Sequence, residues 1–187
     1  GAVWLDARKT SPYAFYQFWL NTADADVVKF LKWLTFEQRE RIEELEKTIE
    51  TAPQAREAQR ALAESMTQII HGETECDRAR AASAALFSGA IAELDAAMLG
   101  EVFADVPSTT HAKTMLDGEG LDLLDILADT SLANSKREAR QFLEQGSISI
   151  NGTKMETPRS LTMNDLLHGA TVLVRRGKKA WHALRFE

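Results

Sequence analysis

Ser135-Lys-Arg-Glu-Ala-Arg140, followed by Gly146-Ser-Ile-Ser-Ile-Asn-Gly152, decides how the second half of the chain folds. Ser135 with Glu138 three places on has capping-box spacing, so a helix starts there. Gly146 stops it after Gln145, because glycine reaches the left-handed backbone that closes a helix without steric penalty. Ser147-Ile148-Ser149-Ile150 then alternates polar and apolar, which is the period of a strand with one face buried. Asn151-Gly152 is the sequence of a type I′ hairpin turn, and Thr153-Lys154-Met155 returns from it. Helix, stop, strand, tight turn and strand within about twenty residues make a small α+β unit, not a bundle.

Working outward, Thr171–Arg175 and Trp181–Phe186 read as a second strand pair around Arg176-Gly177-Lys178-Lys179. Upstream, Leu121–Asp129 reads as a short helix with Leu123, Leu124 and Leu127 facing inward. Residues 105–111, Asp-Val-Pro-Ser-Thr-Thr-His, change character and read as a junction. Everything before them is helical in pattern. Ser11-Pro12 places a cap and a proline ahead of Tyr13–Asn21, and a second helix runs over about Ala25–Leu34. Thr35-Phe36-Glu37-Gln38 has capping-box spacing and opens a charged helix with Ile42, Leu45 and Ile49 on one face. Pro53 starts another, carrying Leu62, Met66 and Ile69 in a stripe that ends at Gly72, and Glu73–Phe87 and about Leu94–Phe103 complete the set. The expected fold is mostly α. An antiparallel helical domain over 1–104 and a junction over 105–110 precede a small α+β domain over 111–187.

Bulk composition narrows the function classes. The net charge of −6 argues at first against a polyanionic partner. Its distribution reverses that: residues 1–105 hold 11 basic and 18 acidic side chains (net −7), whereas 135–187 hold 10 and 5 (net +5). A basic tail on an acidic body is the pattern of a chain that grips a polyanion at one end. No apolar run approaches the roughly 18 residues needed to span a bilayer, so no membrane partner is expected. The single cysteine, Cys76, excludes an internal disulfide and a zinc site built on several thiolates, and points to a reducing compartment. The first residue is not Met, and the chain reads as a piece of a longer protein.

No catalytic constellation assembles. His71, His111, His168 and His182 are scattered, and no nucleophile sits beside one in a recognisable motif. His71, Glu73 and Cys76 have only loose metal spacing and read more simply as a helix end and a buried thiol, so no metal site is expected. The basic side chains are the better constellation. Lys136, Arg137 and Arg140 lie on the first turns of one helix, Lys154 follows the hairpin turn, and Arg175, Arg176, Lys178 and Lys179 surround the second turn. Cations at a helix start oppose the helix dipole, a cost that an anionic partner offsets. A solvated basic face is the alternative.

At Ser135–Arg140 and Gly146–Gly152 the tail resembles the S-four-like RNA-binding domain, over roughly residues 121–155. Members of that family grip RNA backbone with cations of the second helix and the hairpin, and Lys136, Arg137, Arg140 and Lys154 fall on matching positions. Asn134-Ser135 replaces the more usual Ser-Arg pair, with positive charge kept at Lys136 and Arg137. Over the whole length the chain resembles the C-terminal region of bacterial-type class I tyrosyl-tRNA synthetases. The matching runs are Gly1-Ala-Val-Trp-Leu-Asp6, Thr10-Ser-Pro-Tyr13, Phe15-Tyr-Gln-Phe-Trp19-Leu-Asn21, Asp24-Ala-Asp26-Val27, Leu86-Phe-Ser-Gly89 and Arg175-Arg-Gly-Lys-Lys179.

The resemblance implies a tRNA-recognition part of an aminoacylating ligase that is inactive by itself. The catalytic domain, with its ATP and magnesium, is expected upstream, so no cofactor is expected in this chain. Tyrosine tRNA is the implied partner and DNA is not. The helical domain would meet the anticodon stem and loop, and the S-four-like domain would hold the tRNA and its long variable arm. The chain would be monomeric, with the parent enzyme dimerising through the missing domain, in the bacterial cytoplasm or alternatively the mitochondrial matrix. By motif position Asp24, with Asp26 as substitute, would read guanine at the first anticodon base, two carboxylate oxygens accepting from two adjacent donors. Asp24 as a simple helix cap is the competing reading. Tyr13, Phe15, Tyr16, Phe18 and Trp19 could stack on bases, but Phe15, Phe18 and Trp19 are expected in the core, as are Trp181 and Phe186. Two other functions stay open, binding of structured introns by a mitochondrial relative and a helical interaction module without RNA.

Overall fold

The computed structural model describes residues 2–187; Gly1, the first residue of the N-terminal matching run, lies outside them. The chain divides into two compact units, residues 1–84 and 85–187, and the division falls within α5.

In the first unit α1 (Pro12–Leu20) begins where Ser11 Oγ accepts from the Ala14 amide, with Pro12 at the first helical position. Then come α2 (Asp24–Leu34), α3 (Arg39–Thr51), α4 (Glu57–His71) and α5 (Glu73–Ser88). Helix α4 packs against α1, α2 and α3. The core holds Phe15, Val27, Leu31, Ile42, Leu45, Ala58, Leu62 and Met66.

Two expected starts move. Thr35 closes α2 instead of opening α3: its hydroxyl donates to the Leu31 carbonyl at 2.7 Å, and Glu37 accepts from Ser65 Oγ at 2.6 Å. With both partners of the supposed box engaged elsewhere, α3 starts at Arg39 without a side-chain cap. Pro53 opens only a short 3-10 turn, Pro53–Ala55. Arg56 then takes the left-handed conformation (φ 51°) and α4 starts at Glu57. Phe18, expected in the core, is half exposed. At 100° per residue Pro12, Phe15, Tyr16 and Trp19 share one face of α1, and Phe18 falls outside it.

The second unit begins with the last turn of α5 and continues through α6 (Ala96–Val102), which Asp95 caps through the Met98 amide. Next are β1 (Ser108–His111), β2 (Leu121–Asp122), α7 (Leu123–Ala128), α8 (Lys136–Glu144), β3 (Ile148–Ile150), β4 (Thr153–Met155), β5 (Ser160–Leu161), β6 (Thr171–Arg176) and β7 (Ala180–Phe186). The main sheet has the order β1-β7-β6-β3-β4, with β1 parallel to β7 and the other pairs antiparallel; β2 and β5 form a separate pair. One sheet face gives Ile148, Ile150, Val172, Val174 and Leu184 to a core shared with Leu123, Leu127, Ala139 and Leu143 of α7 and α8. The other face meets the segment containing α6, where Phe103 lies edge-on to Trp181 with ring centroids 5.0 Å apart.

The hairpin forms as read. Asn151 (φ 49°) and Gly152 (φ 87°) both take positive φ, as a type I′ turn needs. Gly152 also packs against Gly89: a Cβ on Gly152 would overlap the Gly89 carbonyl. That contact accounts for the glycine closing Leu86-Phe-Ser-Gly89. Residues 105–110, read as a junction, carry most of β1, whose edge position beside β7 nothing in Ser108-Thr-Thr-His announces. Leu121 and Asp122, read as helix, are β2, and Asp122 caps α7 by accepting from the Leu124 and Asp125 amides.

Candidate nucleic-acid interface

Helix α8 is held at both ends by local chemistry. Ser135 Oγ accepts from the Glu138 amide at 3.2 Å, but the Glu138 carboxylate returns to the Asn134 amide, not to that of Ser135. At the far end the Gly146 amide donates to Leu143 and the Ser147 amide to Phe142, the Schellman arrangement with Gly146 left-handed at φ 60°. Ala139 and Leu143 are buried, whereas Arg137 and Arg140, three residues apart on the outer side, are exposed and carry no ion pair among the described residues.

Lys136 behaves differently. Its ammonium pairs with Asp125 Oδ1 of α7, and that carboxylate, aided by Asp122 and Asp129, raises it above the usual lysine range. Lys136 is therefore the α8 cation least available to a further anion.

A second basic group gathers at the other end of α8. A Cβ on Gly146 would meet Lys154 Cε and Nζ, so the ammonium of Lys154 lies over the helix C-terminus, where the dipole favours positive charge. The Gly177 amide donates to the Ser147 carbonyl at 2.7 Å, which ties the β6–β7 turn to the same place. Lys178 and Lys179 on that turn are exposed.

Arg175 and Arg176 are neighbours in β6, so they point to opposite faces of the sheet and cannot share one surface. Both are half-buried and engaged within the unit. Arg175 donates through Nη1 to the Leu86 carbonyl at 3.3 Å and stacks over Trp181, 4.9 Å from the ring centroid, while its buried Nε has no partner among the described residues. Arg176 donates through Nη1 to the Leu132 carbonyl at 2.6 Å and lies over Phe142 at 4.7 Å, holding the loop that leads into α8. Of the eight basic residues singled out in the sequence, five present open charge: Arg137, Arg140, Lys154, Lys178 and Lys179. Lys136, Arg175 and Arg176 are engaged by the protein itself.

In the helical unit the cap of α2 is Ala23, not Asp24. Asp24 occupies the first helical position, and its Oδ1 accepts from Nε2 of Gln59, a buried side chain of α4, at 2.5 Å. That bond orients an otherwise exposed carboxylate. Asp26 is exposed on the same first turn, at the rim of a surface cleft of about 450 Å³ between the end of α1 and the start of α2, lined also by Phe18, Trp19, Asn21 and Phe30. Sequence reading placed Phe18 inside and so missed this aromatic wall. His71 and Cys76 are each taken up by local packing. His71 lies edge-on to Phe15 at 4.9 Å, and burial lowers its affinity for a proton. The Cys76 thiol contacts the Glu64 carbonyl at 3.5 Å, and burial pushes its pKa up.

Comparison with known proteins covers both units. Residues 1–88 match the family of class I tRNA synthetases for tryptophan and tyrosine, and residues 99–184 match the tyrosine–tRNA ligase SYY-like C-terminal domain. Over 100% of its length the chain is 45% identical to tyrosine–tRNA ligase of Staphylococcus saprophyticus, covering 44% of that protein. Over 99% of its length it is 43% identical to that of Roseiflexus castenholzii, again covering 44%. A solution structure of a tyrosyl-tRNA synthetase C-terminal domain aligns with 52% of the chain and 94% of its own, at 33% identity and a TM-score of 0.41. The chain spans less than half the length of the curated relatives it matches.

Proposed function

The chain belongs to the tyrosine–tRNA ligase family, and on that premise we propose that it is the tRNA-binding part of such a ligase, which joins tyrosine to its tRNA with ATP. The helical region ahead of the 105–110 junction meets the anticodon stem and loop, with Asp24 and Asp26 as base readers. The region from residue 111 clamps the tRNA backbone and its long variable arm. The relatives named above are bacterial, which favours a bacterial cytoplasmic setting.

The observation that carries this reading is the distribution of open charge. Arg137, Arg140, Lys154, Lys178 and Lys179 stand along and beyond one helix with no anionic partner among the described residues. Arg175 and Arg176 brace the elements that present them. Lys136 joins the clamp only where a phosphate displaces Asp125. Phosphate contacts position a nucleic acid, and base contacts give it identity. The two units divide these tasks, the acidic one reading bases at a carboxylate and the basic one holding backbone.

The test is binding to a bacterial tyrosine tRNA transcript, beside one transcript with its first anticodon base changed and one with a shortened variable arm. Each change is expected to weaken binding. If five phosphates are engaged, affinity falls on the order of 10²-fold between 50 and 200 mM salt. Equal binding to all three transcripts, or affinity flat in salt, would overturn the proposal.

A further inference from the structure

One end of the helical unit is apolar where a finished helical bundle would turn polar. On α2 the buried stripe Val27–Leu31 continues to Leu34, which is 41% exposed; on α4 the stripe Leu62–Met66 continues to Ile69, 43% exposed. Between them Phe36, in the α2–α3 connection, is 90% exposed, and Trp33 in the last turn of α2 is 70% exposed. Phe36 and Ile69 line one surface cleft of about 250 Å³ with Glu37, Ser65 and Gln68, and the Ser65–Glu37 hydrogen bond fixes its floor. Single exposed apolar side chains are ordinary, but a contiguous group that extends two core stripes marks an interaction surface. At the same end the buried Nε2 of His71, the last residue of α4, has no hydrogen-bond partner among the described residues.

This end lies opposite the base-reading carboxylates. The α1–α2 connection is short, so the two helices run antiparallel, and the start of α4 is bonded to the end of α1 and the start of α2 through Arg56 and Gln59. Asp24 and Asp26 are thus at one end, and Leu34, Phe36 and Ile69 at the other, beside the start of α1. The absence of basic side chains from the lining of the Phe36 cleft disfavours RNA as its occupant.

We propose that this apolar end is the docking surface for the part of tyrosine–tRNA ligase that the chain does not span. More than half of each relative's length lies outside the match, and the match falls in the C-terminal region of those proteins. That remainder is tethered ahead of α1, at this same end. A tether of a few residues holds it at high effective concentration, so a modest apolar patch suffices for stable contact. The inference rests on family membership and not on RNA binding.

The experiment is thiol labelling of Phe36→Cys and, separately, Ile69→Cys, in this chain alone and in the complete ligase that carries it, with Ala25→Cys at the opposite end as reference. Native Cys76 is buried and its thiol is hard to ionise, so background labelling is slow. Positions 36 and 69 are expected to react at least about tenfold more slowly in the complete ligase than in the chain alone, with position 25 unchanged. Equal rates in both proteins would overturn the proposal. So would protection in the chain alone that rises with its concentration, which would assign the patch to a second copy, or protection brought by added tRNA, which would assign it to RNA. No RNA is present in the primary comparison, so its outcome is independent of whether the basic clamp exists.

Discussion

Arg176 and Lys179 sit three residues apart, yet the structure gives them opposite duties, and replacing each by alanine separates them. Arg176 donates at 2.6 Å to the Leu132 carbonyl and stacks on Phe142. A hydrogen bond from a charged group contributes about 1.5–3 kcal/mol, and a partly exposed cation–π contact about 0.5–1. Arg176→Ala should therefore cost about 2–3 kcal/mol, and for a unit of this size that lowers the thermal midpoint on the order of 10 °C. Arg176→Lys should recover little, because an ammonium cannot both stack flat on the ring and reach the carbonyl. Lys179 is exposed on its turn, so Lys179→Ala should leave the midpoint unchanged. It should instead reduce the dependence of log affinity on log salt by about one phosphate contact. Thermal unfolding followed by circular dichroism, paired with tRNA affinity at four salt concentrations, measures both quantities. An Arg176→Ala protein that keeps its midpoint but loses one unit of salt dependence would refute the assignment, because its guanidinium would then serve RNA and not the loop.

Three further outcomes are expected. Gly152→Ala forces a side chain into left-handed backbone and into the Gly89 carbonyl, and should destabilise by about 2–4 kcal/mol; denaturant unfolding at wild-type stability would contradict that packing. His182 is buried between Ser131 and Thr109, and burial followed by the nearby His111 lowers its pKa below 6.5. The folded state then favours the neutral ring, so its contribution to stability is full above about pH 6.5 and is lost as the pH falls towards the lowered value; a His182→Gln variant whose midpoint drops as steeply between pH 7 and 5 would exclude His182 as the source. Asp24→Asn keeps an oxygen for Gln59 but removes one acceptor, so guanine preference at the first anticodon base should fall on the order of tenfold. Undiminished preference, measured by competition between the two transcripts, would move the reading function to Asp26.

What could be read from the sequence was local. Ser135, Gly146 and Asn151-Gly152 each act on backbone within a few residues, and α8, β3, β4 and the turn fell where those residues put them. Thr35 misled because a capping box needs two free side chains, and both Thr35 and Glu37 were claimed by groups outside the box. β1 was illegible for the converse reason: it exists because Pro107 and β7 offer hydrogen bonds across more than seventy residues of sequence. Among the candidate site residues, the basic character of the tail was plain, but which cations stay open was not. Capture of Lys136 by Asp125 and of Arg176 by Leu132 depends on tertiary neighbours that no spacing rule encodes.

The order of the main sheet also governs what the protein does at high concentration. Its two borders are β1, four polar residues, and β4, three residues with Lys154 in the middle. A border strand recruits strands from other molecules when it is long, flat and apolar. Here one border is too polar to nucleate a dry stack and the other repels its own image through a fixed ammonium. The unit can accordingly be crowded onto ribosome-rich surroundings without seeding fibrils, and Lys154→Val, which removes that repulsion, is the substitution that should first make it aggregate.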